Sequence, residues 1–397
     1  MDIVEISAVT GQQVNYLEQI PENFKSGCKR YVDKCGGPEF IYKEKQNKTP
    51  LQYVQEAFKP LEKYKDKILM VIDSSTTRGF CEPSQASLYA QSLGLRNSQC
   101  FDISEACNGF SRSLQIAYQF FETDINFEEK YILIINNEQP PEGRAKLPES
   151  DRNYKQIASY YVGSTFSNLC CLTLLQKSEN YSWKFMNDSD TIYASHINIS
   201  LPNLGQGYLP IHELYSVELN DQYGQFCIPK LHQLEEKAVK VLKYISKRNK
   251  FYEQANVICH TLAKNSWQQM FQFQKVQQLS LTYNETGNLA SASLPFILFQ
   301  QYGKNLPKGQ KIAFMGVGAG GSGVVIEWEH QKTNENVKNS SNNNRNHKYL
   351  TDKSDSSYKK WDKYTLLLRI FLQETKRKIF CQKRNKNKIK NGYNKEE

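Results

Sequence analysis

Phe101-Asp102-Ile103-Ser104-Glu105-Ala106-Cys107-Asn108-Gly109-Phe110 runs an apolar-leaning stretch into a cysteine and then directly into the helical pattern Ser111–Phe121. A cysteine at a helix N-terminus is a candidate nucleophile, because the helix dipole and the free backbone N–H groups favour thiolate over thiol. The small residues Ala106 and Gly109 let the turn be tight and a substrate come close. For a cysteine in this position without partners, a buried structural thiol is the commoner reading. The assignment therefore depends on the rest of the chain.

Outward from that stretch, residues 1–330 alternate short β-branched or apolar runs with longer mixed segments, the pattern of strands separated by helices. The expected strands are Ile3–Val9, Ile68–Ile72, Tyr131–Ile135, Leu169–Leu175, Val257–Cys259, Leu279–Thr282, Lys311–Met315 and Val324–Trp328. Several are near-continuous apolar runs, as buried strands are. The expected helices are Thr49–Phe58, with Thr49-Pro50 as cap and first-turn proline, Pro83–Ser92, Asn108–Phe121, Leu231–Ser246 and Ala290–Tyr302. The class is α/β, and no short-period repeat is visible.

Two further segments follow expected strands: His260 in Val257-Ile258-Cys259-His260-Thr261-Leu262-Ala263, and Asn288 in Gly287-Asn288-Leu289-Ala290-Ser291-Ala292-Ser293-Leu294-Pro295. Open α/β sheets place their sites in loops at the carboxyl ends of strands, so Cys107, His260 and Asn288 can converge. Cysteine with histidine is a nucleophile–base pair, and an asparagine beside the histidine adds a neutral N–H donor for a developing oxyanion.

In this order along the chain, these segments resemble the thiolase-like condensing enzymes, specifically β-ketoacyl-acyl-carrier-protein synthase III. Lys308-Gly309-Gln310-Lys311, the strand Ile312–Met315 and the turn Gly316-Val317-Gly318-Ala319-Gly320 are similar to that family's glycine-rich loop before its last strand. The resemblance covers most of residues 1–330. It implies a five-layered α/β/α/β/α sandwich of two similar halves, residues 1–177 carrying the cysteine and 178–330 carrying the histidine and asparagine, usually as a homodimer.

It also implies a mechanism without a resident cofactor or metal. Cys107 would take an acyl group from acyl-CoA, and malonyl-acyl-carrier protein or malonyl-CoA would be decarboxylated and condensed onto it, in fatty-acid or polyketide-type biosynthesis. His260 and Asn288 would hold the malonyl thioester oxygen. The backbone N–H of Cys107, with one from Gly316-Val317-Gly318, that of Val317, would form the oxyanion hole for acylation. Lys264 and Lys275 are candidates for docking an acidic carrier protein, against the simpler reading of solvated surface lysines. Transfer of the acyl group to a hydroxyl or amine, and a non-catalytic subunit of a synthase, are the competing readings.

The sequence also departs from the family. Thr261-Leu262-Ala263 replaces the usual Gln-Ala-Asn after the histidine, Tyr161–Phe166 has lost the aspartate of a Gly-Asp-Gly segment, and the tryptophan and arginine that help seat coenzyme A are not recognisable around Cys35–Lys45. The glycine turn also looks like that of type III polyketide synthases.

Composition narrows the function classes. The 397 residues are 39% hydrophobic and 23% charged, a globular balance. The net charge of +10 sits in residues 331–397, which hold 18 Lys/Arg against 7 Asp/Glu, so the body is near neutral, which argues against nucleic acid as a partner of the folded body. Gln331–Ser357, rich in Asn, Ser and Lys, is too polar to bury a core and is expected to be disordered. Trp361–Phe380 reads as an unstructured or weakly helical extension rather than a membrane-surface helix, because its apolar residues are bunched.

No apolar run is long enough to span a membrane, no export signal opens the chain, and ten cysteines without CxxC spacing read as reduced cytosolic thiols. Cytoplasmic localisation is the expectation. The remaining histidines, His196, His212, His232, His330 and His347, lack ligand neighbours, and Cys170-Cys171 point to opposite faces of a strand.

Overall fold

The computed structural model describes residues 1–77, 82–140, 147–189, 198–199, 226–227, 253, 255–272, 275–303, 309–319 and 322–330. All lie in one compact unit, Met1–Thr333. The expected helix Leu231–Ser246 and the tail 331–397 lie outside the described residues.

The first strand, β1 (Asp2–Thr10), is followed by a short antiparallel pair, β2 (Gln12–Asn15) and β3 (Phe40–Lys43), separated by helix α1 (Glu22–Cys35). Helix α2 (Pro50–Phe58) starts as Thr49-Pro50 foretells. Thr49 Oγ1 accepts from the Gln52 amide at 3.3 Å and the Gln52 side chain accepts from the Thr49 amide at 2.7 Å, a reciprocal cap. Then come β4 (Ile68–Asp73), α3 (Gln85–Leu93), β5 (Gln99–Asp102), α4 (Gly109–Thr123), β6 (Tyr131–Glu138), α5 (Tyr154–Ser164) and β7 (Leu169–Gln176). The second half of the described fold holds β8 (Tyr181–Ser189), the two-residue pair β9 (Asn198–Ile199) and β10 (Phe226–Cys227), β11 (Asn256–Cys259), β12 (Gln278–Ser280), β13 (Lys311–Gly318) and β14 (Ser322–His330). Helices Lys264–Phe271, Tyr283–Thr286 and Ser293–Tyr302 lie between them.

Two five-stranded sheets result, in the orders β1-β7-β6-β4-β5 and β8-β14-β13-β11-β12. Their pairings match position by position: the first two neighbour pairs are antiparallel and the last two parallel in both sheets. The chain thus contains a structural duplication.

Layering follows from which face each apolar side chain takes. On the outer face of the first sheet, Tyr53, Val54, Ala86 and Tyr89 of α2 and α3 pack on Val71 and Leu133. Between the sheets, Phe110 and Leu114 of α4 and Leu294 and Ile297 of Ser293–Tyr302 pack against Ile72, Ile134, Ile258 and Phe314. Beyond the second sheet, Trp267 and Met270 pack on Val257 and Met315. This is the expected five-layered α/β/α/β/α sandwich. Cys170 and Cys171 fall in different layers, as strand alternation requires.

Several expectations need correction. Leu279–Thr282 is strand only over Gln278–Ser280, Lys311–Met315 continues to Gly318, and the following strand begins at Ser322 rather than Val324. Gly316-Val317-Gly318 is therefore strand and not turn. Asn108–Phe121 is a 3-10 turn, Ala106–Asn108, followed by α4 from Gly109. Ala290–Tyr302 divides in the same way, with 3-10 over Ala290–Ala292 and helix from Ser293. No helix among the described residues is long and apolar enough to cross a membrane.

Candidate active site

Cys107 sits in the 3-10 turn between β5 and α4. Asp102, at the end of β5, turns its carboxylate back to accept from the Gln85 and Ala86 amides at 2.8 and 2.9 Å, and Ile103 donates to the Asp73 carbonyl at 2.8 Å. The chain then reverses through Ala106, whose φ of 45° lies in the left-handed region that costs a residue bearing Cβ about 1–2 kcal/mol. Two clamps hold that turn. Arg112 reaches back to both Glu105 oxygens at 2.7 and 3.0 Å. The Asn108 amide donates to the Ser322 carbonyl at 3.1 Å and hydroxyl at 2.8 Å. Gly109 lies so close to β4's extension that a Cβ would come within 2.6 Å of the Ser74 carbonyl. Cys107 is half-buried, whereas Cys28, Cys170, Cys171 and Cys259 are buried and pushed up by desolvation, Cys28 to about 11.

His260 follows β11 directly. Its amide donates to the Met315 carbonyl at 2.9 Å, and its carbonyl accepts from Leu262 N at 2.8 Å and Trp267 Nε1 at 2.9 Å. The ring is buried, and neither ring nitrogen makes a well-formed hydrogen bond within the protein. Burial pushes the imidazole down to about 4, against an opposing pull from the Ala290 backbone. The imidazole is therefore neutral near pH 7, with one N–H to donate. The support missing from Thr261-Leu262-Ala263 is supplied differently: Thr261 Oγ1 accepts from the Leu289 amide at 2.8 Å and shares a hydrogen bond with Ser293 Oγ at 2.7 Å.

Asn288 does not directly follow a strand, because helix Tyr283–Thr286 intervenes after β12. Gly287 (φ 68°) ends that helix where a Cβ would come within 2.5 Å of the Thr165 carbonyl. Asn288 N then donates to that carbonyl at 2.9 Å, and its own carbonyl accepts from Ser167 N at 3.0 Å. The segment that lacks the family's aspartate thus clasps the asparagine's backbone. Asn288 Oδ1 accepts from Ala290 N at 2.9 Å, so the amide N–H groups are what its side chain has to offer a ligand. Asn288 forms part of a largely apolar cleft with Tyr31, Cys35, Tyr161, Leu262 and Tyr283.

The three segments meet. The Cys107 turn packs against the Ala290–Ala292 turn and against β13, while His260 lies beside Ala290. In β13 the Met315 carbonyl faces β11, where it receives the His260 amide. By strand alternation the Val317 N–H faces the same side, past Cys259, the last paired residue of β11. A Cβ on Gly316 would come within 2.4 Å of Asn108 Oδ1, so this glycine makes room for the cysteine turn rather than forming a bend. Lys264 begins a helix whose Asn265 donates to the Lys34 carbonyl at the cleft rim, at 2.9 Å. Lys275 instead lies near the opposite, amino-terminal ends of β11 and β12, because Gln277 donates to the Ala255 carbonyl there at 3.0 Å. No group of three or more metal-ligating side chains occurs among the described residues.

The hydrogen-bonding roles of Asn108, Thr261, Glu138 and Ser291 are not legible in the sequence. Single hydroxyls and amides carry no spacing signal. Asn136-Asn137-Glu138 did offer one, as a polar triplet closing an apolar strand whose eight residues are all buried.

No family model matches the chain. It is 24% identical over 305 residues to the β-ketoacyl-acyl-carrier-protein synthase III of Clostridium tetani, covering 66% of this chain and 78% of that protein. With the synthase III of Aliarcobacter butzleri it is 41% identical over 76 residues, a match spanning only 22% of that relative's length. Solved structures share the fold. A Xanthomonas campestris OleA superposes with a TM-score of 0.63 at 17% identity over 82% of this chain and 97% of that one, and the FabH of Xanthomonas oryzae with 0.62 at 16% over 82% and 98%. The chain has the thiolase-like fold and resembles synthase III at divergent identity.

Proposed function

We propose that this chain is a thiolase-fold acyltransferase that forms a carbon–carbon bond. The Cys107 thiolate attacks an acyl-CoA thioester, coenzyme A leaves as its thiol, and the acyl group stays on sulfur. A malonyl thioester, on a carrier protein or coenzyme A, then loses carbon dioxide. The carbanion left by that step attacks the acyl carbon, and Cys107 departs as thiolate.

The observation that carries this reading is the buried, neutral His260 with no well-formed hydrogen bond at either ring nitrogen, beside the Asn288 corner and packed by way of Ala290 against the cysteine turn. A neutral imidazole N–H and an amide N–H suit an enolate oxygen, because they stabilise charge as it develops without first taking a proton. The amides of Cys107 and Val317 would serve the acyl oxygen during loading. The cleft that includes Asn288 would admit the thioester arm, with Lys34 and Lys264 toward its rim for an acidic carrier. A homodimer, as in the family, belongs to the same proposal, and sedimentation would measure it.

Intact-protein mass spectrometry with a panel of acyl-CoAs tests the first step. Lauroyl-CoA belongs in the panel, because a similar structure was solved with bound lauric acid and lauroyl-CoA. A Cys107-dependent adduct that discharges on adding a malonyl thioester supports condensation. Discharge only to a hydroxyl or amine acceptor would mean ester or amide formation instead.

A further inference from the structure

The two matched sheets place the Ala290–Ala292 turn in the second half where Ala106–Asn108 stands in the first, each ahead of the helix that fills the middle layer. Both open on an alanine in the left-handed region, Ala106 at φ 45° and Ala290 at φ 47°. Ser291 is thus the counterpart of Cys107. The turns also pack reciprocally: the cysteine turn lies against the end of β13, and the serine turn against the end of β6.

Those strand ends differ in kind. At the cysteine turn the facing residues are Gly316 and Gly318, against Asn108 and Glu105. At the serine turn they are Asn136 and Glu138, both buried, while Asn137 between them turns to the other face of the strand and donates to the Pro50 carbonyl and the Tyr89 hydroxyl. Glu138 Oε1 accepts from Ser291 Oγ at 2.6 Å and Ser291 N at 3.3 Å, and from Thr76 N at 2.8 Å. The Asn136 amide donates to both Ser291 Oγ and Ser74 Oγ, at 3.0 and 2.9 Å. Ser74 is the residue against which Gly109 packs at the start of α4. The cysteine helix thus packs on Ser74, and a hydrogen-bonded chain runs from Ser74 through Asn136 to Ser291, with Glu138 behind it.

We infer that Glu138 and Ser291 are positioning residues that hold the Asn288–Ala290 corner, and through it the ring of His260, at a fixed distance from Cys107. The inference rests on the proposed condensing reaction. Ser291 lies three residues after Asn288, and Ala290 between them receives Asn288 Oδ1 on its amide and lies beside the His260 ring. Loss of the link frees the corner that holds the malonyl oxygen but leaves the cysteine turn to its own clamps at Glu105, Arg112 and Ser322.

The test compares full-length wild type with Ser291→Ala, Glu138→Gln and the double variant. Acyl loading of Cys107 should stay near the wild-type rate. Condensation kcat should fall roughly tenfold to a hundredfold with little change in KM for the malonyl thioester, the scale of a small misplacement. The double variant should be no slower than the worse single one. Wild-type condensation in Ser291→Ala, or an equal fall in both half-reactions, overturns the inference. Amide hydrogen exchange keeps it independent of the reaction itself: exchange across residues 288–293 should rise in both variants, with α4 unchanged. Unchanged protection there overturns the link even if the wild type condenses nothing, whereas a wild type that fails to load or condense while exchange rises indicts only the proposed reaction.

Discussion

The Thr261 hydroxyl accepts a hydrogen bond from the Leu289 amide at 2.8 Å, joining the segment that carries His260 to the one that carries Asn288. Both groups are buried, so no water replaces either partner.

Thr261→Val keeps the shape and removes the acceptor. Leaving the Leu289 N–H unpaired should cost about 1–3 kcal/mol, read as a lower denaturant midpoint with an unchanged slope. Condensation should fall more than Cys107 loading, because the loading machinery lies on other elements. Thr261→Ser, which retains the hydroxyl, should restore most of both.

His260 makes stability depend on pH in a defined direction. Its imidazole titrates near 4 in the folded chain against 6.5 when exposed, so between these values the unfolded chain binds the extra proton. Stability from this group is fully present above about pH 6.5 and is lost as pH falls toward 4, by roughly 3 kcal/mol at about 1.4 kcal/mol per unit. Replacing His260 with Asn should flatten the wild-type curve between pH 4 and 6.5; an unchanged slope would mean the ring is not buried neutral.

Gly316→Ala sets a Cβ 2.4 Å from the Asn108 carboxamide oxygen, whose nitrogen is pinned by Ser322. The side chain must move and take the cysteine turn with it. Cys107 loading should slow by roughly tenfold or more, since reacting geometry is sensitive to shifts of this size. Gly323→Ala, on the neighbouring strand, is the comparison; equal slowing would show that the sheet end, not the Asn108 contact, is at fault.

Gly287→Ala meets both a positive φ and the Thr165 carbonyl. It should destabilise by about 2–4 kcal/mol, read by thermal unfolding, because strain and a backbone collision add.

Legibility in the sequence followed the strength of each local signal. Apolar runs revealed β4, β6 and β7, because strands covered on both faces need apolar side chains at every position. β8 was missed: Tyr181–Ser189 lies at the sheet edge with exposed and half-buried residues mixed along it. α1 and α5 were missed too, since α1 buries only Phe24, Gly27 and Cys28 and α5 has little amphipathic character. Gly316 and Gly318 read as a turn because glycine has two uses that a sequence cannot separate, bending the chain and making room for a neighbour. Cys107, His260 and Asn288 were legible as segments. Their clamps were not, since a hydrogen bond between residues 28 or 155 positions apart leaves no pattern along the chain.

The most direct test of the proposed chemistry is intact-protein mass spectrometry of wild type and Cys107→Ala after incubation with acyl-CoAs of graded chain length, followed by a malonyl thioester. The expected result is a single acyl adduct on wild type, none on the variant, and discharge of the adduct into a product two carbons longer than the primer. A folded wild type that acquires no adduct from any acyl-CoA or acyl-carrier donor, or one that loads equally well without Cys107, would contradict it.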